Sequence, residues 1–205
     1  MPAPKDDDVR FRLIYDGALP PKERCRADVK QMIRKQIHPQ LENLWRQHPQ
    51  LSNMMKVKSE TGLRSADRIA ENFCGSGFRC VPLVRSGNNH MACRLDVLVL
   101  LRQEPHRLFW HGDLDNRIKT LIDGLRVPMN PNEAAHQLPE SGEEPFFCLL
   151  QDDKLIYEFS VQSDRLLVPP RQEQQIRDVV AIIDVHVTND EGGEMPTDRG
   201  GYGRH

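Results

Sequence analysis

Met91-Ala92-Cys93-Arg94-Leu95-Asp96-Val97-Leu98-Val99-Leu100-Leu101 reads as a strand, and a short way on the repeat changes. Ile118, Leu121, Ile122 and Leu125 fall at i, i+3, i+4 and i+7, one face of a helix. That helix should begin near Asp115 or Asn116 and close at Pro128, which cannot continue it. Working back from Met91, Phe78 to Val84 is also strand-like. The residues between, Ser86-Gly87-Asn88-Asn89, tolerate the positive φ of a tight turn, which predicts an antiparallel pair.

Further upstream, Val9 to Tyr15 reads as a strand ended by Ala18-Leu19-Pro20-Pro21. From Ala27 to His48, Val29, Ile33, Ile37, Leu41, Leu44 and Trp45 mark one helical face, with Lys30, Arg34, Lys35 and Arg46 on the other. Ala66, Ile69, Ala70 and Phe73 predict a second helix, Ser65 to Cys74, stopped by Gly75 and Gly77. Downstream, Leu155, Tyr157, Phe159 and Val161 alternate with their neighbours, as do Val179, Ala181, Ile183, Val185 and Val187. Both runs are strands. The order β, α, α, β, β, α, β, β predicts an α+β domain, a mixed sheet packed against helices.

With 205 residues, 38% of them hydrophobic, the chain has the length and composition of one globular domain. Residues 1–8 and the Gly-rich 189–205 read as unstructured ends around a domain of residues 9–188. Residues 128–145 are polar, rich in Pro, Asn and Glu, and aperiodic, hence either a functional loop or a disordered insertion. No apolar run is long enough to span a bilayer and no secretory signal is read at the start, so a cytoplasmic protein with no membrane partner is expected. The odd count of 5 Cys, without metal-site spacing, suggests reduced and mostly buried thiols. The net charge of −2 conceals a split: residues 1–112 hold 19 Lys and Arg against 12 Asp and Glu, and the remainder hold 9 against 18. A polyanion bound by the basic part is compatible with that split; solvated helix faces explain it equally well.

The acidic residues concentrate in His111-Gly112-Asp113-Leu114-Asp115-Asn116-Arg117-Ile118-Lys119 and in Gln151-Asp152-Asp153-Lys154. In an extended chain Asp113 and Asp115 would project to the same side and could share a cation. Alternatively, Asp115 or Asn116 merely caps the following helix. Lys119 stands four residues from both Asp115 and Asp123, able to form an ion pair with either or to direct a cation at the cluster. Hard divalent ions such as Mg²⁺ need few carboxylates because they keep several waters. Trp45 and Trp110 belong to apolar runs and are expected in the core.

Together, Gly112-Asp113-Leu114-Asp115-Asn116, Lys119, Asp123-Gly124-Leu125 and Leu150-Gln151-Asp152-Asp153 resemble the RusA family of Holliday-junction resolvases. The resemblance covers about fifty residues, Trp110 to roughly Ser163, and lies in the combination. It implies a RusA-like fold with an enlarged N-terminal helical part, and a homodimeric endonuclease that cuts branched, four-way DNA in recombination and repair. The cofactor would be Mg²⁺, or Mn²⁺. Asp113, Asp115 and Asp153 would be the catalytic and metal-binding acids and Lys119 the catalytic lysine, with Asp152, Asp123 and His111 as further candidates. Lys30, Arg34, Lys35, Arg107 and Arg117 would contact DNA. Gly112 departs from the family, which usually has Arg before the first Asp. The alternatives are a non-catalytic nucleic-acid-binding or assembly protein on the same scaffold, and a hydrolase of small phosphate esters.

Overall fold

The computed structural model describes residues 9–20, 27–57, 62–87, 90–101, 113–168 and 178–190. In chain order its elements are β1 (Val9–Ala18), α1 (Ala27–Gln47), α2 (Pro49–Met54), α3 (Ser65–Glu71), β2 (Cys80–Val84), β3 (His90–Leu101), α4 (Asp113–Leu125), β4 (Phe146–Leu150), a 3₁₀ turn (Asp153–Leu155), β5 (Ile156–Arg165) and β6 (Asp178–Asp190). Four strands form one mixed sheet in the order β1-β6-β3-β5. β6 runs antiparallel to both β1 and β3, and β5 runs parallel to β3. Alternation decides which side is dry: Val179, Ala181, Ile183, Val185 and Val187 of β6 and Cys93, Leu95, Val97, Val99 and Leu101 of β3 are all buried. They share one core with Ile33, Ile37, Leu41 and Trp45 of α1 and with Ile118, Leu121 and Leu125 of α4. Each such aliphatic side chain contributes about 1.5–3 kcal/mol on burial. The result is a single α+β domain, and among the described residues no helix is long and apolar enough to cross a membrane.

The two helices approach closely because α4 carries Gly124 at the crossing. A Cβ there would stand 2.7 Å from the Cβ of Ile33, inside van der Waals contact. The absent side chain sets the height of α4 above the core.

α1 also closes one edge of the sheet. Four helical residues advance about 6 Å along α1 and two strand residues advance about 6.8 Å, so glutamines four apart can match alternate residues of β1. Gln36 accepts from the Asp16 N–H at 3.2 Å and donates to the Asp16 carbonyl at 3.0 Å. Gln40 does the same at Ile14, at 2.9 and 2.7 Å. These side chains substitute for a neighbouring strand. Replacing both with alanine is expected to cost about 2 kcal/mol, at roughly 0.5–1.5 kcal/mol per net hydrogen bond. Urea denaturation would check this, and light scattering would report association through the uncovered edge.

The predicted β2–β3 hairpin fails, and of the two readings left open for residues 128–145 the disordered insertion is overturned. β2 does not form a hairpin with β3; it pairs in parallel with β4, as a separate two-stranded sheet. β4 carries no alternation because every residue of Phe146–Leu150, like every residue of β2, is buried. Strands dry on both faces read as plain apolar runs, and the turn-forming residues at 86–89 could not reveal which strand β2 would meet. The segment 128–145 is neither disordered nor loosely attached. It folds as turns, with His136 N–H donating to the Pro131 carbonyl at 2.8 Å and Gln137 N–H to the Ala134 carbonyl at 3.0 Å. Ala134 is buried in a second small core with Phe78, Cys80, Val127, Phe146 and Cys148.

His38 joins α1 to β4. Its Nδ1 accepts from the Phe147 N–H at 2.9 Å and its ring stacks on Phe146 with centroids 4.5 Å apart. Burial pushes its pKa below the usual imidazole value, against the opposing pull of Glu42 and Glu143. A depressed folded pKa means that the unfolded chain takes the proton first. Stability contributed by neutral His38 is therefore complete above about pH 6.5 and declines as pH falls below it, by at most about 1.4 kcal/mol per pH unit from this group. Urea midpoints at pH 7.5 and 5.5 should differ more in wild type than in His38→Gln, which can still accept the bond but does not titrate.

Candidate active site

α4 starts at Asp113, so positions 113 and 115 lie in the first turn of a helix and not on an extended segment. Residues two apart on a helix do not share a face, which overturns the same-side geometry expected of an extended D-x-D. The side chain of Asp113 lies outside the described residues, as do His111, Arg107 and Trp110.

What the helix does align is Asp115, Lys119 and Asp123, at i, i+4 and i+8 along one stripe. This stripe forms one wall of a groove of about 740 Å³. The opposite wall comes from the 3₁₀ turn and the start of β5, and contributes Asp153 and Lys154. The helix wall therefore presents two aspartates and a lysine and the opposite wall one of each, and Asp115, Lys119, Asp153 and Lys154 are exposed. Between them lies an apolar floor that includes Ile118, Ile122, Phe159 and Val161.

Local chemistry separates the two neighbouring acids of the second wall. Asp152 caps the 3₁₀ turn, its carboxylate accepting from the Lys154 N–H at 3.0 Å. That bond holds the Asp152 carboxyl below the usual carboxylate range. Asp152 thus shapes the turn, and Asp153 is the one that lines the groove. Gln151 anchors the same corner by accepting from the Ser86 N–H at 2.9 Å.

Asp123 has a partner other than Lys119: the ammonium of Lys30, 2.6 Å away and half-buried, which ties α1 to α4. Lys35 forms ion pairs with Glu140 at 2.6 Å and Glu143 at 3.8 Å, pinning the 128–145 segment to α1. Two residues expected to touch DNA belong to the interior instead. Arg34 is 2% exposed and gives its guanidinium to three backbone carbonyls, and Arg117 is buried with Nη1 donating to the Leu19 carbonyl at 2.6 Å. Helical charge patterning marks both as polar but cannot show that other segments lie over them. Among the described residues, no three His, Cys, Asp or Glu side chains form a cluster suited to an ion. With Asp123 tied to Lys30, the exposed donors that the groove offers are the carboxylates of Asp115 and Asp153, oxygen ligands of the hard kind that Mg²⁺ and Mn²⁺ take.

Sequence reasoning missed the floor and Lys154. The signal for the floor was present but ambiguous, since alternation in β5 looks like that of any strand with one buried face. Compared with family models, with curated proteins and with solved structures, the chain finds no match.

Proposed function

We propose that this chain is a divalent-metal-dependent, structure-selective DNA endonuclease of the RusA kind, acting on branched DNA as a homodimer in the cytoplasm. The observation that carries the reading is the convergence of Asp153 with Asp115 and Lys119, more than thirty residues earlier in the chain, on one groove. Their identities match the acids and the lysine that the resemblance implies, with Asp113 as the third acid. Asp115 and Asp153 would hold Mg²⁺ or Mn²⁺; two carboxylates suffice for an ion that retains water. When bound, such an ion supplies Lewis-acid assistance to phosphodiester hydrolysis. Lys119, one helical turn from Asp115, offsets the negative charge that builds on the phosphate oxygens. Cutting a two-fold symmetric junction on both sides requires two such sites, hence the homodimer.

The test is a nicking assay on a synthetic four-way junction with Mg²⁺, comparing wild type with Asp115→Asn. Wild type should nick and the variant should not. Junction binding without nicking by either protein would overturn the reading and mark a non-catalytic nucleic-acid-binding or assembly protein. Turnover of a chromogenic phosphate ester, with DNA left intact, would mark a small-ester hydrolase.

A further inference from the structure

The floor of the groove has no task in hydrolysing a phosphodiester, yet at Phe159 it is open to water. Phe159 and Val161 pair in register with Leu95 and Val97 of β3 and therefore share the side of the sheet that the helices cover elsewhere. Leu95 is fully buried, whereas Phe159 is 38% exposed. α4 leans over this part of β5 with Ile118 and Ile122 but does not close onto it. An apolar slot open to water beside a charged mouth favours a ligand with an apolar planar body and an anionic end. The mouth sets Lys119 from one wall and Lys154 from the other against Asp115 and Asp153, so an ion held by those two acids would leave the lysines to meet that end. A volume of about 740 Å³ lies within the roughly 300–1,000 Å³ of small-ligand sites.

Resting on the nuclease reading above, we propose that this slot captures one unstacked nucleobase of the strand to be cut. Phe159 is the stacking surface, and Lys119 and Lys154 hold the adjoining phosphate. Paired duplex keeps its bases stacked and must surrender that energy to fill the slot, whereas a nucleotide already unpaired at a branch or gap surrenders little. Selectivity for branched over plain duplex DNA then originates in the slot, and the acids are indifferent to branching.

The experiment places 2-aminopurine singly at each nucleotide around the branch of a four-way junction and follows its fluorescence on addition of protein in calcium-containing buffer. In parallel, the KM for junction nicking in Mg²⁺ is measured for wild type, Phe159→Ala and Phe159→Trp. One position should respond strongly; Phe159→Ala should abolish that response and raise KM about tenfold without changing affinity for plain duplex; Phe159→Trp should restore both. Because Trp keeps the ring and fills the site, its rescue separates stacking from a folding defect. The proposal is overturned if no position responds, if Phe159→Ala leaves KM unchanged, or if free 2-aminopurine deoxyribonucleoside monophosphate binds as tightly as the junction. Fluorescence does not require cleavage, so a response from a protein that never nicks would sink the nuclease reading alone. Nicking without any response would sink the slot alone.

Discussion

Arg34→Met is expected to lower the free energy of unfolding by about 4 kcal/mol. Its Nε donates to the Arg126 carbonyl, Nη2 to the Asp123 carbonyl and Nη1 to the Glu133 carbonyl, each at 2.8 Å. Two of these acceptors belong to the C-terminal end of α4, where carbonyls have no partner within the helix and the dipole favours a cation. The third lies in the 128–145 segment, so one side chain satisfies a helix end and fastens a long connection. Burial pushes the Arg34 pKa down from its ordinary value, yet a guanidinium stays charged in a protein. Methionine matches the volume and donates nothing, leaving three acceptors to recover water or remain unpaired at about 1–3 kcal/mol each. Relief from desolvating a cation returns part of that sum, which is why the expected loss is nearer 4 than 9 kcal/mol. Arg34→Lys should recover at most half, because an ammonium lacks the planar fork that reaches three carbonyls at once. Urea denaturation measures the loss, and hydrogen exchange should show residues 128–145 deprotected first. A loss under about 1 kcal/mol would mean that the three bonds barely outweigh the burial of the charge.

Arg34 also shows where reading the sequence stops. Hydrophobic period gave the buried face of β6 residue by residue and, on α1, the buried Ile33, Ile37, Leu41 and Trp45, because a face that excludes water must repeat with the element. Period does not tell what lies against the opposite face. On α1 that face holds Lys30, Arg34 and Lys35, which look alike in sequence; in the structure they are an ion pair to α4, a buried fastening and an ion pair to a loop. The strand-like contacts of Gln36 and Gln40 were equally invisible, since glutamine on a polar face carries no pairing signal. β4 went unread, and β2 was read as a strand with the wrong partner, for the opposite reason: buried on both sides, they present no period at all. At the groove, the i, i+4, i+8 spacing of Asp115, Lys119 and Asp123 could be read from the helix alone. The arrival of Asp153 could not, because it depends on β4 lying beside β2, and only the resemblance pointed to it.

That arrival gives the proposed activity its most demanding test. Asp115→Asn and Asp153→Asn should each slow junction nicking by about a thousandfold, close to 4 kcal/mol of transition-state stabilisation. Both side chains are exposed and asparagine keeps their shape, so the free energy of unfolding should change by no more than about 0.5 kcal/mol. The informative protein is the double variant. If the two carboxylates serve one ion, losing the first already disables the site, and losing the second should cost little more, as with other residues that act as a unit. If they act separately, the two losses multiply to about a millionfold, and the shared site is refuted even though each single variant is inactive. Lys119→Met, which leaves both carboxylates in place, should slow nicking by about a hundredfold while leaving the metal concentration at half-maximal rate unchanged, since its charge acts on the phosphate and not on the ion. A shift in that metal dependence would instead assign Lys119 to balancing the charge of the acids.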